Sequence, residues 1–332
     1  MSANDLEPVR LPARDIPPPT TISDAARQAL SDGAMRPRLP WPAGDDIEGW
    51  RVAIAESAAM WDPIAAEMLS TCRSSVETRP IGGVTCHVGT PPAMDEASSR
   101  RLYLFLHGGA FVFGAGAYAK AWGGVTADRL GVTTVSIDYR CPPDHPFPAA
   151  PEDAVAVYRA LIDEIDPGRI VIGGSSAGGN LAAAATLMIR DRGLPMPAGV
   201  VLLTPEVDLT EAGDTFRTNT LLDIVLKGPL PDCNAVYAQG HDLTDPYLSP
   251  LFGDFAKGFP ATLIQTGTRD LFLSNSALMH RKLRKAGVEA ELHVWEAMPH
   301  GGFGAFGLGK TPEDSEIDDE VRRFIARRTS LI

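Results

Sequence analysis

The 332-residue sequence contains few cysteines, and those it has are far apart. Cys72, Cys86, Cys141 and Cys233 include no C-x-x-C pair, so they are read as small buried or half-buried residues of a reducing compartment. No uninterrupted apolar run is long enough to span a bilayer. The first 19 residues are polar and proline-bearing without an apolar h-region, so no signal peptide is expected and the chain is read as soluble and cytoplasmic. Basic runs are missing too, apart from Arg322, Arg323, Arg327 and Arg328 in an expected C-terminal helix, whose last two arginines complement its dipole. A net charge of −12 argues against binding to a phosphate backbone. The histidines include no H-E-x-x-H, and their scattered spacing gives no metal centre. There is no internal repeat and no low-complexity segment.

What is present is an ordinary globular composition, 44% hydrophobic and 22% charged, able to bury a sizeable core. The length suits two average domains or one large α/β unit with an elaboration. After the flexible lead-in, a short helix is expected from Ser23, stapled by Ile22. A second is expected from Asp46, carrying Ile47, Trp50, Ile54 and Trp61, with Asp62-Pro63 restarting helix as far as Leu69. Val76–Ile81 and Val84–Val88 read as a hairpin across Gly82-Gly83. Leu102–Leu106 and Val132–Ile137 are apolar on both faces, as central strands require. A helix from Pro151 to Ile165 follows, then strands at Arg169–Gly173 and Gly199–Leu203. Residues 206–240 lose strand character and read as a helical insertion, around Thr220–Val225 and Asp232–Gln239. Strand Ala261–Gln265, helix Ser274–Gly287, strand Glu289–Trp295 and a helix capped by Thr311-Pro312 complete the pattern. Strands alternating with helices after a leading hairpin imply an α/β fold with a mostly parallel sheet covered on both sides.

The stretch Gly174-Ser175-Ser176-Ala177-Gly178 carries the most chemistry. It fits G-x-S-x-G, a strand–turn–helix in which a serine sits on a strained turn and the flanking positions are too crowded for a side chain. Ser175 is the competing serine, but Ala177 stands where its closing glycine would be. Three further pieces lie at the C-terminal ends of expected strands, where open α/β sheets place their sites. In His107-Gly108-Gly109-Ala110, two glycines allow close backbone approach, so the N–H groups of Gly108 and Gly109, with that of Ala177, can form an oxyanion hole. His107 itself is read as structural, holding the loop through backbone bonds. Asp270 follows one strand and His300 the next, which is the Ser…Asp…His order of an acyl-transfer triad. Ser176 would be the nucleophile, His300 the base and acid, and Asp270 the group that orients the imidazole.

These residues belong to a longer series that resembles the hormone-sensitive-lipase-like group of α/β-hydrolases, the bacterial family IV esterases. The series runs through His107-Gly108-Gly109, Asp138-Tyr139-Arg140, Pro146-Phe147-Pro148-Ala149, Asp153 and Ser176-Ala177-Gly178-Gly179-Asn180. It continues through Pro205, Asp208-Leu209, Asp245-Pro246, Ser249-Pro250-Leu251, Asp270 and His300-Gly301. The resemblance implies an eight-stranded core, no cofactor, a helical cap over the site, and structural roles for Asp138, Asp153 and Asp208. It divides the chain into a lead-in and cap part (1–70), a first core part (71–205), a cap insertion (206–242) and a second core part (243–332). The chain departs from the family pattern at four places. Ser175 replaces an aspartate, Ala110 a third glycine, and Ser274-Asn275 a further carboxylate, while Glu206 after Pro205 is unusual.

The expected activity is hydrolysis of small to medium carboxylic esters through an acyl-enzyme. Lactone hydrolysis of the monoterpene ε-lactone kind or amide hydrolysis by the same triad is the alternative, and a ligand receptor on the same fold is a third reading. Glu206, Leu221 and Leu222 are candidates for the substrate pocket. Trp41, Trp50, Trp61, Phe216 and Tyr237 either line it or pack cap against core. The expected partner is a small-molecule ester, with no nucleic acid and no membrane span, and a homodimer through the Glu289–Trp295 edge is a further expectation.

Overall fold

The computed structural model describes residues 7–37, 40–304 and 310–329. Two helices lead, α1 (Asp24–Ala34) and α2 (Ile47–Thr71), followed by strands β1 (Ser75–Ile81) and β2 (Val84–Thr90). Then come α3 (Glu96–Ser99), β3 (Leu102–Leu106), α4 (Ala117–Leu130), β4 (Thr133–Ile137) and α5 (Ala149–Leu161). The second half contains β5 (Ile170–Ser175), α6 (Ala177–Asp191), β6 (Gly199–Leu203), α7 (Thr215–Thr218) and α8 (Pro231–Ala238). It ends with β7 (Thr262–Gly267), α9 (Leu273–Lys285), β8 (Ala290–Trp295) and α10 (Pro312–Thr329).

All eight strands form one sheet in the order β1-β2-β4-β3-β5-β6-β7-β8. The β1–β2 and β2–β4 pairs are antiparallel and the rest parallel. Gly82 and Gly83 both take positive φ, 58° and 82°, as a two-residue hairpin turn with the twist of its strands requires. Strand periodicity sorts the core into two layers. Leu104, Leu106, Ile172 and Leu202 join Tyr158 of α5, Leu181 of α6 and Met279 of α9 on one side. Tyr103, Phe105, Val171 and Val201 join Leu130 of α4 and Phe324 of α10 on the other. The central strands are therefore buried on both faces, as their doubly apolar sequences demanded, while edge strand β1 is largely exposed.

Two local expectations fail. Helix does not restart at Asp62-Pro63; α2 runs unbroken with Pro63 inside it. A proline removes one backbone bond there at a cost of about 3 kcal/mol. Packing holds both sides of it: Trp61 meets Tyr118 of α4 edge-on at 5.6 Å, and Ala65 is fully buried. Residues 220–225 form turns rather than helix. Leu221 takes φ 64°, and the Asp223 carboxylate accepts the N–H groups of Val225 and Leu226, so local side-chain bonds replace helical ones. The helix at Pro151 begins two residues earlier and stops at Leu161. No helix among the described residues is long and apolar enough to cross a membrane.

Candidate active site

Ser176 stands between β5 and α6 with φ 59° and ψ −123°, a left-handed conformation that costs a non-glycine residue on the order of 1–3 kcal/mol. Its N–H is tied to the Leu203 carbonyl at 2.8 Å. The flanking glycines are sterically obligatory. A Cβ on Gly174 would lie 2.3 Å from the Gly178 carbonyl oxygen, and one on Gly178 only 2.0 Å from that of Leu106. The helix that follows points its positive end at the serine, with Ala177 as its first residue.

His300 lies after β8 and Asp270 after β7, and because β5, β6, β7 and β8 run parallel in that order, both loops emerge at the same end of the sheet as the turn after β5. His300 Nε2 is 2.8 Å from Ser176 Oγ, and its Nδ1 is 3.1 Å from Asp270 Oδ1. Asp270 Oδ1 also accepts the Phe272 N–H, and its Oδ2 accepts the Thr266 hydroxyl at 2.7 Å. A carboxylate oxygen at Nδ1 fixes the proton there, which leaves the Nε2 lone pair directed at the serine hydroxyl. Phe272 meets the imidazole edge-on at 4.8 Å and shields it from water. The three side chains singled out from sequence are thus within hydrogen-bond reach of each other.

The loop after β3 carries the N–H groups expected to form the oxyanion hole, those of Gly108 and Gly109. Tyr139 donates its hydroxyl to the His107 carbonyl at 2.9 Å, and His107 Nδ1 lies 2.9 Å from the Gly108 carbonyl. In a trans peptide the N–H points opposite the carbonyl. Those two bonds therefore orient the N–H groups of Gly108 and Gly109 away from Tyr139 and the His107 ring. Burial lowers His107 to about 4, so the ring is neutral and Nδ1–H can donate to the carbonyl. It also stacks on Tyr139 with centroids 4.1 Å apart. A Cβ on Gly108 would come within 3.3 Å of Ser176 Cβ, which shows how closely this loop passes the serine.

The other marked residues have distinct places. Arg140 clasps buried Asp153 through its backbone and guanidinium, Asp138 accepts the Gly116 N–H, and Asp208 accepts the backbone and hydroxyl of Thr210. Asn180 donates to the carbonyls of Glu206 and Leu248 and pins the chain leaving β6 onto α6. Glu206 is fully buried, its N–H 3.4 Å from the Ser176 carbonyl and its Oε1 accepting from Asn234 of α8. Burial, reinforced by Glu211 and Asp208, raises its carboxyl to about 8. Leu221 is 73% exposed, so it stands in solvent rather than in an enclosed wall, and Leu222 is half-buried. Trp50 and Phe216 are fully buried with Phe272 in an apolar cluster that Trp41 and Phe113 flank, while Tyr237 stacks on Phe111.

A family model described as the α/β-hydrolase fold matches residues 103–304. The chain belongs to that family. An acetyl-hydrolase of Streptomyces hygroscopicus is 36% identical over 202 residues, covering 60% of this chain and 67% of the relative. The crystal structure of an esterase superposes with a TM-score of 0.88 at 34% identity, covering 96% of this chain and 98% of that one. An esterase from the bacterial hormone-sensitive lipase family gives 0.76 at 28% identity, covering 92% and 99%. The protein is therefore an esterase-type hydrolase of the hormone-sensitive-lipase-like branch.

Within this hydrolase the departures from the family pattern have local consequences. Ala110, in place of a third glycine, takes φ 50° all the same. Ser274 and Asn275 accept the N–H groups of Thr215 and Asp208 and so brace the residues after β6. A second carboxylate does reach the centre, from a residue that sequence reasoning passed over. Asp223, in the insertion, accepts the N–H groups of Leu271 and His300. Its one signal was a lone charge in the apolar run Leu221-Leu222-Asp223-Ile224-Val225. Asp223, Asp270 and His300 also form a set of donors within 4.8 Å of one another, close enough to share a cation, but their facing atoms are already engaged in these bonds.

Proposed function

We propose that the protein hydrolyses carboxylic esters with small to medium acyl groups by an acyl-enzyme route. The observation that carries the reading is the unbroken chain Ser176 Oγ–His300 Nε2–Asp270 at 2.8 and 3.1 Å. Ser176 Oγ attacks the ester carbonyl while its proton passes to His300 Nε2, and the imidazolium is stabilised by Asp270. The carbonyl oxygen, now an oxyanion, accepts the N–H groups of Gly108, Gly109 and Ala177; one such donor is worth about 2.7–4 kcal/mol in the transition state. Collapse of this intermediate expels the alkoxide, which takes the proton from Nε2 and leaves as the alcohol. Water then gives a proton to Nε2 and attacks the acyl carbon; the acid departs and Ser176 recovers its proton.

Residues 206–242 and the helices within 1–70 act as the cap. Trp50, Phe216 and Phe272 are fully buried and pack these segments against the core, while half-buried Trp41 and Phe113 at the edge of that cluster offer apolar surface to an acyl chain. The acetyl-hydrolase relative supports a short acyl group. Ser176→Ala should abolish turnover of a short-chain p-nitrophenyl ester and labelling by a fluorophosphonate. Full turnover by that variant would refute the mechanism, and an assay across acyl lengths reads the substrate class.

A further inference from the structure

The insertion after β6 does more than overlie the site: it holds the two loops that carry the acid and the base. Thr215 Oγ1 donates to the Leu271 carbonyl at 2.8 Å and accepts the Ser274 N–H. Asn219 Nδ2 donates to the carbonyls of Asp270 and Thr268, at 2.8 and 3.2 Å. Asp223 Oδ2 accepts the Leu271 N–H at 2.8 Å and the His300 N–H at 3.3 Å, while Oδ1 accepts the Val225 N–H at 2.9 Å. One fully buried carboxylate therefore joins the backbones of the acid loop and the base loop.

Backbone tethering alone does not account for the charge. A buried carboxylate is penalised by desolvation and, beside Asp270, repelled by it, and both effects push the Asp223 carboxyl up to about 6. Opposing them are a positive charge on His300, when the ring carries one, and the N–H groups of Val225 and Leu271 that the carboxylate accepts. The titratable groups facing Asp223 are Asp270 on the β7–α9 loop, His300 on the β8–α10 loop and Lys227 on its own segment. Of these, only the imidazole gains a positive charge during the reaction, when it has taken the serine proton. A charge that favours that state more than the ground state accelerates the chemical step.

We propose that Asp223 is a positioning residue for ester hydrolysis, a second carboxylate that aligns the acid and base loops and adds its charge to that of Asp270 beside the imidazolium. The inference rests on the Ser176–His300–Asp270 reading. Asp223→Asn removes the charge and keeps one acceptor oxygen. On a short-chain p-nitrophenyl ester, kcat should fall about tenfold with KM little changed, since an opposite charge moves a neighbouring titration by one unit or more. The acid limb of kcat/KM should move down by about one pH unit, because the uncharged amide no longer favours the protonated ring. Wild-type kcat and an unmoved limb would overturn the proposal. Independently of any variant, the fluorophosphonate adduct of the wild-type protein, carrying carboxyl-13C aspartate, can be titrated by NMR. Two carboxylates, those of Asp270 and Asp223, should respond as the imidazolium loses its proton; a response from Asp270 alone would overturn the proposal. If Ser176→Ala keeps its turnover the mechanism itself fails, whereas an inactive Ser176→Ala beside a wild-type-like Asp223→Asn sinks this inference only.

Discussion

Replacing Glu206 by glutamine should stabilise the protein in neutral and alkaline solution, and by an amount that grows with pH. Glu206 is fully buried; Oε1 accepts from Asn234 Nδ2 at 2.9 Å and Oε2 has no partner among the described residues. The side-chain Oδ1 atoms of Asn234 and Asn180 also have no partner among the described residues. A neutral carboxyl could donate to such an oxygen, and so could a glutamine amide, but a carboxylate could not. Burial first, then Glu211 and Asp208, raise the group from 4.5 to about 8, with the Asn234 bond acting the other way.

The sign follows from proton counting. Below pH 4.5 both folded and unfolded chains hold the proton, and the site costs nothing. As pH rises toward about 8 the unfolded chain releases the proton while the folded one keeps it, so stability falls. Above that the folded group ionises too and the loss levels off. At ~1.36 kcal/mol per pH unit, the full loss is on the order of 5 kcal/mol, of which about 4 develops between roughly pH 5 and pH 9. A chain of this size gains roughly 0.7 kcal/mol/K of entropy on unfolding, so the gap in Tm between the variant and wild type should widen by about 6 °C over that range. Thermal unfolding followed by circular dichroism at several pH values measures this directly. Parallel Tm curves for the two proteins would show that Glu206 carries no such penalty and refute the reasoning.

Two further substitutions probe the donors and the turn. Tyr139→Phe removes the bond to the His107 carbonyl, loosening the peptide that presents the Gly108 N–H; kcat should drop about 5- to 30-fold, for a loss of ~1–2 kcal/mol, with KM nearly unchanged. A rise in KM with kcat intact would assign the hydroxyl to substrate binding instead. Gly178→Ala would set a methyl group 2.0 Å from the Leu106 carbonyl oxygen and 2.5 Å from that of His107, both backbone atoms that cannot turn aside. Loss of more than about 3 kcal/mol is expected, or no folded protein at all. A variant that melts with the wild type would mean that the elbow has more room than its geometry indicates.

The sheet was legible because its strands obey simple rules. Leu102–Leu106 is apolar at every position and is a central strand; Gly82-Gly83 between two alternating runs is a hairpin turn. The proximity of Ser176, His300 and Asp270 was legible for a related reason, since each follows a strand and neighbouring strands bring their ends together. Of the insertion only the helix expected around Asp232–Gln239 was legible, as α8. The rest of its path is set by single side-chain bonds, such as those of Asn219 and Asp223 to backbone far along the chain, and these leave no periodicity. Leu221 had the character of a pocket residue and lies in solvent because Asp223, two places on, turns inward to the acid loop. Pro63 misled in the opposite sense, for tertiary contacts outweighed a local breaker.

The two halves of the site are consequently held by different forces. Ser176 and its neighbouring donors are fixed by the sheet: the Leu203 carbonyl holds the serine N–H, and glycine positions with no room for a methyl lock the turn. Disturbing that half means disturbing the core. Asp270 and His300 lie on loops whose backbone groups are gripped by Thr215, Asn219 and Asp223, bonds that can open one at a time at a net cost of about 1 kcal/mol each, or somewhat more for the charged acceptor. The halves meet at the 2.8 Å contact between Oγ and Nε2. A shift of the insertion would therefore move His300 and Asp270 rather than Ser176. On the proposed mechanism, the segment expected to border the acyl group would then also bring the base into line, which would couple substrate fit to proton transfer.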